Sequence, residues 1–193
     1  MKKLIFATHN ANKVKEVRNQ LMGTYEILGL NDIGFHEEII EDKKTIVENS
    51  IAKVRFVKER TGYDCFADDT GLEVNALNGK PGVFSKRFAG QNASSDDNIN
   101  KLLHMLKGKQ DRSAQFKTVI SLFNNGEIQT FEGICKGNIG FKRIGNFGFG
   151  YDPIFIHENK NISFGQMSLE EKNKIAHRAR AVNKLIGYLT NLY

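Results

Sequence analysis

The apolar positions of this chain follow two alternating periods. Leu4-Ile5-Phe6-Ala7 is a continuous apolar run, so Lys3–Thr8 reads as a buried strand. Val14, Val17 and Leu21 then recur at helical spacing with charges between them, so Asn12–Met22 reads as a helix and the pair as the start of an α/β unit. Tyr25–Leu30 reads as a second strand, and the acidic stretch His36–Lys44 commits to neither period. Thr45–Arg60 returns to helical spacing through Ile46, Ile51, Val54 and Val57, and Thr45 with Glu48 fits a capping box. Asp64–Asp69 reads as a strand ending in two carboxylates.

Further along, Pro81-Gly82 marks a loop, and Ser94-Ser95-Asp96-Asp97 reads as the cap of a helix over Asn98–Leu106. Ser113–Phe123 and Ile128–Cys135 read as the strands of a hairpin, because Asn and Gly in Asn124-Asn125-Gly126-Glu127 tolerate positive φ. Gly137–Arg143 reads as another strand, Gly145–Gly150 as a glycine-rich loop, and Ser168–Lys174 and Ala176–Tyr193 as helices. There is no internal repeat, linker or low-complexity tract. Strands and helices interleave early and strands pair later, which predicts a mixed α/β sheet with flanking helices over residues 1–193 as one domain.

Composition narrows the class. With 40% hydrophobic and 26% charged residues in 193, the chain is globular rather than fibrous or disordered. Two cysteines, Cys65 and Cys135, form neither a disulfide framework nor a four-thiolate zinc site, and they suit a reducing compartment. The apolar run after Met1-Lys2-Lys3 is shorter than the ~7–15 residues of a signal peptide, and no stretch nears the ~18 of a membrane span. A cytoplasmic protein with no membrane partner is expected. A net charge of +6 favours an anionic partner without choosing among nucleic acid, phosphate compounds and membrane.

Four segments carry candidate chemistry. Thr8-His9-Asn10-Ala11-Asn12-Lys13 joins a strand to a helix start, where free N–H groups, short polar side chains and a lysine can cradle phosphate, although it lacks the P-loop pattern. Asp68 and Asp69 are adjacent carboxylates, which repel unless a cation or proton lies between them, so they point to a hard metal, a general base or both. Asp69-Thr70-Gly71 also matches the aspartic-protease tripeptide, but that chemistry needs two copies and this chain has one. Gly145–Asp152 mixes glycines with Phe149, Tyr151 and Asp152, a composition suited to stacking on a base and accepting from its edge. In the C-terminal run, helical spacing puts Lys174 and Arg178 on one face, while His177, adjacent to Arg178, points differently. Paired acids next to glycine loops would repel a nucleic-acid backbone, so no nucleic-acid partner is expected.

Taken in order, these segments resemble the inosine/xanthosine triphosphate pyrophosphatase family, also called Ham1-like. The resemblance runs nearly end to end through Thr8–Lys13, Glu48-Asn49-Ser50-Ile51-Ala52-Lys53, Ala67–Val74, Pro81–Gly90, Gly148–Phe155, Ser163-Phe164, Glu171-Lys172-Asn173 and His177-Arg178. It implies an elongated mixed α/β fold of two lobes around a central active-site cleft, a homodimer, and Mg2+-dependent hydrolysis of ITP, dITP and XTP to the monophosphate and pyrophosphate. By motif, Thr8, His9, Asn10, Ala11, Asn12, Lys13 and Lys53 fall to the triphosphate, and Thr70 to another nucleotide contact. Phe149, Gly150, Tyr151 and Asp152 match the base-binding loop, and Lys172, His177 and Arg178 the base-recognising residues. Asp69 matches the general base, and Glu41, Asp68 and Asp69 the Mg2+ site, with Glu37 and Glu38 competing for the role given to Glu41. Asn12 stands where the family often has glycine, and is expected to take the same left-handed conformation. Thr70 replaces a usual Ser, Phe84 and Phe88 replace common tyrosines, Ala176 a common Ser, and Gln166 a frequent Glu.

Overall fold

The computed structural model describes residues 2–21, 23 and 25–190. The end of the first expected helix at Met22 and the last three residues of Ala176–Tyr193 lie outside them. β1 (Lys2–Phe6) leads into α1 (Ala11–Gln20), and β2 (Tyr25–Gly29) into a short 3-10 turn at Leu30–Ile33. The acidic segment 36–44 forms no regular element, and α2 (Ile46–Thr61) follows it. Then come β3 (Cys65–Val74), β4 (Pro81–Gly82), α3 (Ser95–Met105), β5 (Ser113–Asn124), β6 (Glu127–Ile139), β7 (Phe155–His157), α4 (Leu169–Ile175) and α5 (His177–Thr190). The strands hydrogen-bond in the order β2-β1-β3-β5-β6-β7, with β4 on β3. β1 runs parallel to β2 and β3, whereas β3–β4 and β6–β7 are antiparallel, so the sheet is mixed as expected.

Four expectations are corrected. Pro81-Gly82, expected as a loop, forms the short strand β4 against β3. β3 does not stop at its carboxylates but continues through Thr70-Gly71 to Val74, because pairing with β4 at Leu72 and Glu73 overrides the local turn signal. The strand expected over Gly137–Arg143 is the tail of β6, which ends at Ile139; the next strand is β7, pairing back from Ile139 opposite Phe155 to Gly137 opposite His157. Lys174 and Arg178 share no helix face, since Ala176 is extended (ψ 158°) and separates α4 from α5.

Local chemistry accounts for the helix starts. Thr45 Oγ1 accepts from the Glu48 N–H at 3.1 Å while the Glu48 carboxylate accepts from the Thr45 N–H, the reciprocal box read from the sequence. Ser94 and Asp97 repeat the device at α3, and Ser168 and Glu171 at α4. The β5–β6 hairpin turns at Asn125 (φ 51°) and Gly126 (φ 86°), the two positive dihedrals that a tight turn of this hand requires.

The chain divides into two compact units: residues 1–69, 118–133 and 178–193 form the first, and residues 70–117 and 134–177 the second. Unit 1 has an apolar cluster on each face of its strands. Leu4, Phe6 and Phe66 pack with Val14 and Val17 of α1 and with Val182 and Leu185 of α5; Ile5, Cys65 and Ala67 pack with Val54 and Val57 of α2. Phe6 and Phe66 stack at 4.4 Å between centroids. Unit 2 centres on Leu72, Leu102, Phe116, Phe155 and Phe164. Among the described residues, no helix is long and apolar enough to cross a membrane.

Thr45→Ala removes one half of the box that starts α2 and is expected to cost about 1 kcal/mol of stability. Urea unfolding measures it as a lower midpoint at an unchanged m-value.

Candidate active site

β-Strand geometry sends successive side chains to opposite faces. On β3 this places Phe66 and Asp68 toward α1 and α5, and Cys65, Ala67 and Asp69 toward α2. The adjacent carboxylates therefore do not face each other across a shared cation, as their sequence proximity implied. Each is buried and has its own lysine.

On the α1/α5 face, Lys13 Nζ donates to Asp68 Oδ1 at 2.7 Å and Arg178 Nε donates to Asp68 Oδ2 at 2.9 Å. Arg178 Nη1 pairs in turn with the buried Glu16. Lys13 and Glu16 are three apart on α1, so two acids and two bases alternate along one neutral chain. Burial penalises the charge on Asp68, yet Lys13 and Arg178 outweigh it and pull the carboxyl well below the usual carboxylate range. Burial also works against Arg178, but Asp68 and Glu16 together raise its pKa. Lys13 is lowered, chiefly by burial.

On the α2 face, Lys53 Nζ meets three oxygens: Glu41 Oε1 at 2.5 Å, Asp69 Oδ1 at 3.0 Å and the Asp68 carbonyl at 3.0 Å. Asn49 Nδ2 donates to Asp69 Oδ2 at 3.2 Å, and its Oδ1 accepts from the Lys43 N–H at 3.0 Å. Asn49 thus ties the irregular acidic segment to β3 and brings Glu41 to the site. Burial raises the pKa of Asp69, Lys53 opposes this, and the nearby Glu41 charge adds to it. For Lys53 burial opposes the charge, but Asp69, Glu41 and Asp68 overcome it and raise its pKa.

The Thr8–Lys13 loop caps α1. Asn10 Oδ1 accepts from the N–H groups of Asn12 and Lys13 at 3.0 and 3.3 Å, and Thr8 Oγ1 accepts from Asn10 N–H at 3.2 Å. Asn12 lies in the first turn of α1, so the left-handed conformation expected of it is replaced by an ordinary helical one. Asn10, Ala11 and Asn12 are exposed, at the positive end of the helix. His9 spans Asn31 Oδ1 at 3.1 Å and the Glu37 carbonyl at 2.9 Å, which anchors the acidic segment from its other end.

Unit 2 holds a second polar cluster. Lys172 Nζ donates to Asp152 Oδ2 at 2.6 Å, with both side chains buried, and the same oxygen accepts from Phe149 N–H at 2.8 Å. Gly148 makes this possible: its φ is +77°, and a Cβ there would lie 2.1 Å from Asp152 Oδ2. The Lys172 ammonium lies 5.0 Å from the Phe149 ring centroid. Tyr151 is buried and donates its hydroxyl to the Ser85 carbonyl at 2.9 Å, while Gly150 and Phe149 are half-buried beside it. The buried His177 ring stacks on Phe116 at 4.5 Å. Thr70 is half-buried in β3.

The structure thus brings Asp152, Phe149 and Lys172 together in unit 2, and Arg178 to Asp68 and Glu16 in unit 1. Three participants escaped the sequence reading: Glu16, Asn49 and Phe116. For Asn49 a signal existed, because Asn49, Ser50 and Lys53 share the helical face of Ile46, Val54 and Val57, where solvated polar residues do not belong.

Two carboxylates on one cationic centre, Glu41 and Asp69, are the hard-oxygen donor set that a divalent ion uses when phosphate and water complete its shell. No group of three His, Cys, Asp or Glu gathers at one point among the described residues, and both Asp68 oxygens carry ion pairs.

Fold and site together define an α/β protein that presents a helix N-terminus near buried lysine–carboxylate pairs. The Ham1 family profile spans residues 4–188, and the chain belongs to the Ham1 family. It is 52% identical to a dITP/XTP pyrophosphatase of Flavobacterium psychrophilum, over 97% of this chain and 99% of that one. It is 47% identical to that of Porphyromonas gingivalis, over 98% of each. Among solved structures it matches the Staphylococcus aureus Ham1 protein with TM-score 0.89 and 36% identity over the whole of both chains.

The neighbouring aspartates should respond unequally to neutralisation. Asp68→Asn leaves two buried cations short of a counter-charge and is expected to cost about 3–5 kcal/mol near neutral pH. Asp68 has a lower pKa folded than unfolded, so its contribution is present above its unfolded value of about 3.9 and is lost as pH falls through its folded pKa. The deficit of the variant should shrink accordingly below about pH 4. Asp69→Asn removes a charge that burial disfavours and leaves Glu41 on Lys53, so it should cost less stability at neutral pH than Asp68→Asn. Urea unfolding of both variants from about pH 3 to 7 tests this; equal losses at neutral pH would sink it.

Proposed function

We propose that this chain hydrolyses non-canonical purine nucleoside triphosphates, ITP, dITP and XTP, to the monophosphate and pyrophosphate, clearing deaminated purines from the nucleotide pool of the cytoplasm. The observation that carries this reading is the arrangement of Lys53, Asp69, Glu41 and Asn49 on the α2 face. It puts a carboxylate of raised pKa, a lysine and a second carboxylate within contact distance. The Flavobacterium and Porphyromonas relatives, both named dITP/XTP pyrophosphatase, support it.

Hydrolysis at the α-phosphorus needs an oriented water, a proton acceptor and positive charge on the leaving pyrophosphate. Asp69 is the acceptor: Asn49 and Lys53 fix both its oxygens, and its raised pKa brings its basicity nearer the working pH. Lys13 and Lys53 stabilise charge on the phosphates, and the exposed N-terminus of α1 with Thr8, His9, Asn10, Ala11 and Asn12 binds them. Glu41 and Asp69 would hold Mg2+, with Asp68 behind them on β3; the ion, when bound, supplies charge neutralisation on phosphate oxygens.

The base falls to unit 2. Phe149 offers a ring face, and Lys172, fixed by Asp152, offers N–H donors. Hypoxanthine and xanthine carry a keto acceptor at C6, where adenine carries an amino donor. A donor facing a donor leaves buried polar groups unmatched, which discriminates strongly. The family resemblance also assigns His177 and Arg178 to base recognition and Thr70 to a nucleotide contact, and the working form is a homodimer.

Pyrophosphate release from ITP, XTP, ATP and GTP, with Mg2+ and with chelator, tests the proposal. Metal-dependent release favouring ITP and XTP is expected, with Asp69→Asn slower by about 100-fold or more. Equal turnover of ATP, or orthophosphate in place of pyrophosphate, would replace this reading with a general nucleotidase.

A further inference from the structure

Lys53 is placed unusually for a phosphate ligand. An ammonium has three protons to donate and no acceptor. Here three oxygens lie within bonding reach of Nζ: Glu41 Oε1 at 2.5 Å, Asp69 Oδ1 at 3.0 Å and the Asp68 carbonyl at 3.0 Å. Two of them belong to the carboxylates that would hold the divalent ion. The Lys53 side chain is 4% exposed, so its head cannot simply swing into water. In this structure the lysine is the cation of the site.

We infer that Lys53 is a resident cation that keeps the Glu41–Asp69 pair closed to a divalent ion until a polyphosphate arrives to take the ammonium over. The inference rests on the proposed metal site, and it concerns the order of binding rather than the reaction. With Lys53 in place, Glu41, Asp69 and Lys53 sum to one negative charge, and an entering ion meets a positive head at the point where it must sit. A triphosphate changes both terms, since its oxygens replace the carboxylates as partners of Lys53 and add negative charge beside them. Metal and nucleotide then enter together, which keeps free metal from occupying the carboxylates alone. Asn49 serves the same end, because its bonds to Asp69 and to the Lys43 N–H hold the two carboxylates at lysine-bridging distance.

The test uses the full chain without nucleotide, and Mn2+ as the probe, read from the electron paramagnetic resonance signal of the free ion. The wild-type protein should bind Mn2+ alone only weakly. Lys53→Met keeps the length of the side chain and removes its charge, and should bind Mn2+ about tenfold more tightly or better. Lys53→Arg should stay near the wild type. Adding Glu41→Gln to Lys53→Met should abolish the gain, which places the ion on that carboxylate. Lys53→Gln is the second neutral variant should Lys53→Met fail to fold, and the wild-type measurement needs no variant. A wild type that binds Mn2+ alone at about 10 μM or tighter would overturn the inference, as would neutral variants that bind no better than the wild type. Nucleotide turnover does not enter this experiment. Failure here leaves the proposed reaction standing, and failure of the turnover assay leaves this result readable.

Discussion

The alternation of side chains along β3 is the constraint on which the site depends. Two adjacent carboxylates in a turn would share one environment, and mutual repulsion would couple their titration. In a paired strand they cannot share it. Asp68 enters a neutral row of alternating charges with Lys13, Arg178 and Glu16, and its pKa falls. Asp69 meets one lysine beside a second acid, and burial together with that acid raises its pKa. One peptide bond thus separates a carboxylate held ionised from one whose charge burial disfavours, and the difference comes from which helix each one faces.

The same constraint decides what α1 and α2 must be. α1 carries Lys13 and Glu16 one helical turn apart, so it meets Asp68 directly and Arg178 at the next step, while Val14 and Val17 bury their faces in the same cluster. α2 carries Asn49 and Lys53 four apart, and both reach Asp69. The capping box at Thr45 fixes where α2 begins, and so which residues form that face. The irregular segment before α2 is held by side chains rather than by a sheet: His9 grips the Glu37 carbonyl, and Asn49 the Lys43 N–H, with Glu41 between the two anchors. In unit 2 a positive-φ glycine does comparable work, since Gly148 leaves room for the Asp152 carboxylate that receives Lys172.

Much of this was legible in the sequence. The capping box at Thr45, the cap at Ser94–Asp97, the Asn125-Gly126 turn and the two periodicities identified most elements, because those signals are local and the structure satisfies them locally. The end of β3 was not legible, since Thr70-Gly71 signals a turn and only pairing with β4 overrides it. The division of Gly137–Arg143 failed for a related reason: a strand's length is set by its partners, and β7 pairs only as far as Ile139. At the site, residue identity was readable and facing was not. Asp68 and Asp69 looked like one pair because sequence shows adjacency without the pleat. Glu16 looked like a solvated helix charge because its partner lies far along the chain, at Arg178.

The polar residues buried on α2 carry the argument from structure to chemistry. Asn49, Ser50 and Lys53 occupy a face that Leu or Val would fill at less risk, for an unpaired buried polar group costs on the order of 1–3 kcal/mol and a buried charge more. Ser50 is satisfied by Ser121 at 2.7 Å, which stability alone explains. Asn49 and Lys53 each direct a donor to the buried Asp69 carboxylate, and Lys53 another to Glu41. A group that exists to neutralise Asp69, beside an Asp69 whose ionised form burial disfavours, is a poor device for holding a fold. It becomes economical once a polyanion and a cation are to be exchanged there. Burial disfavours the Asp69 charge, Lys53 offsets part of the charge of the pair while it waits, and the arriving phosphates take the lysine over.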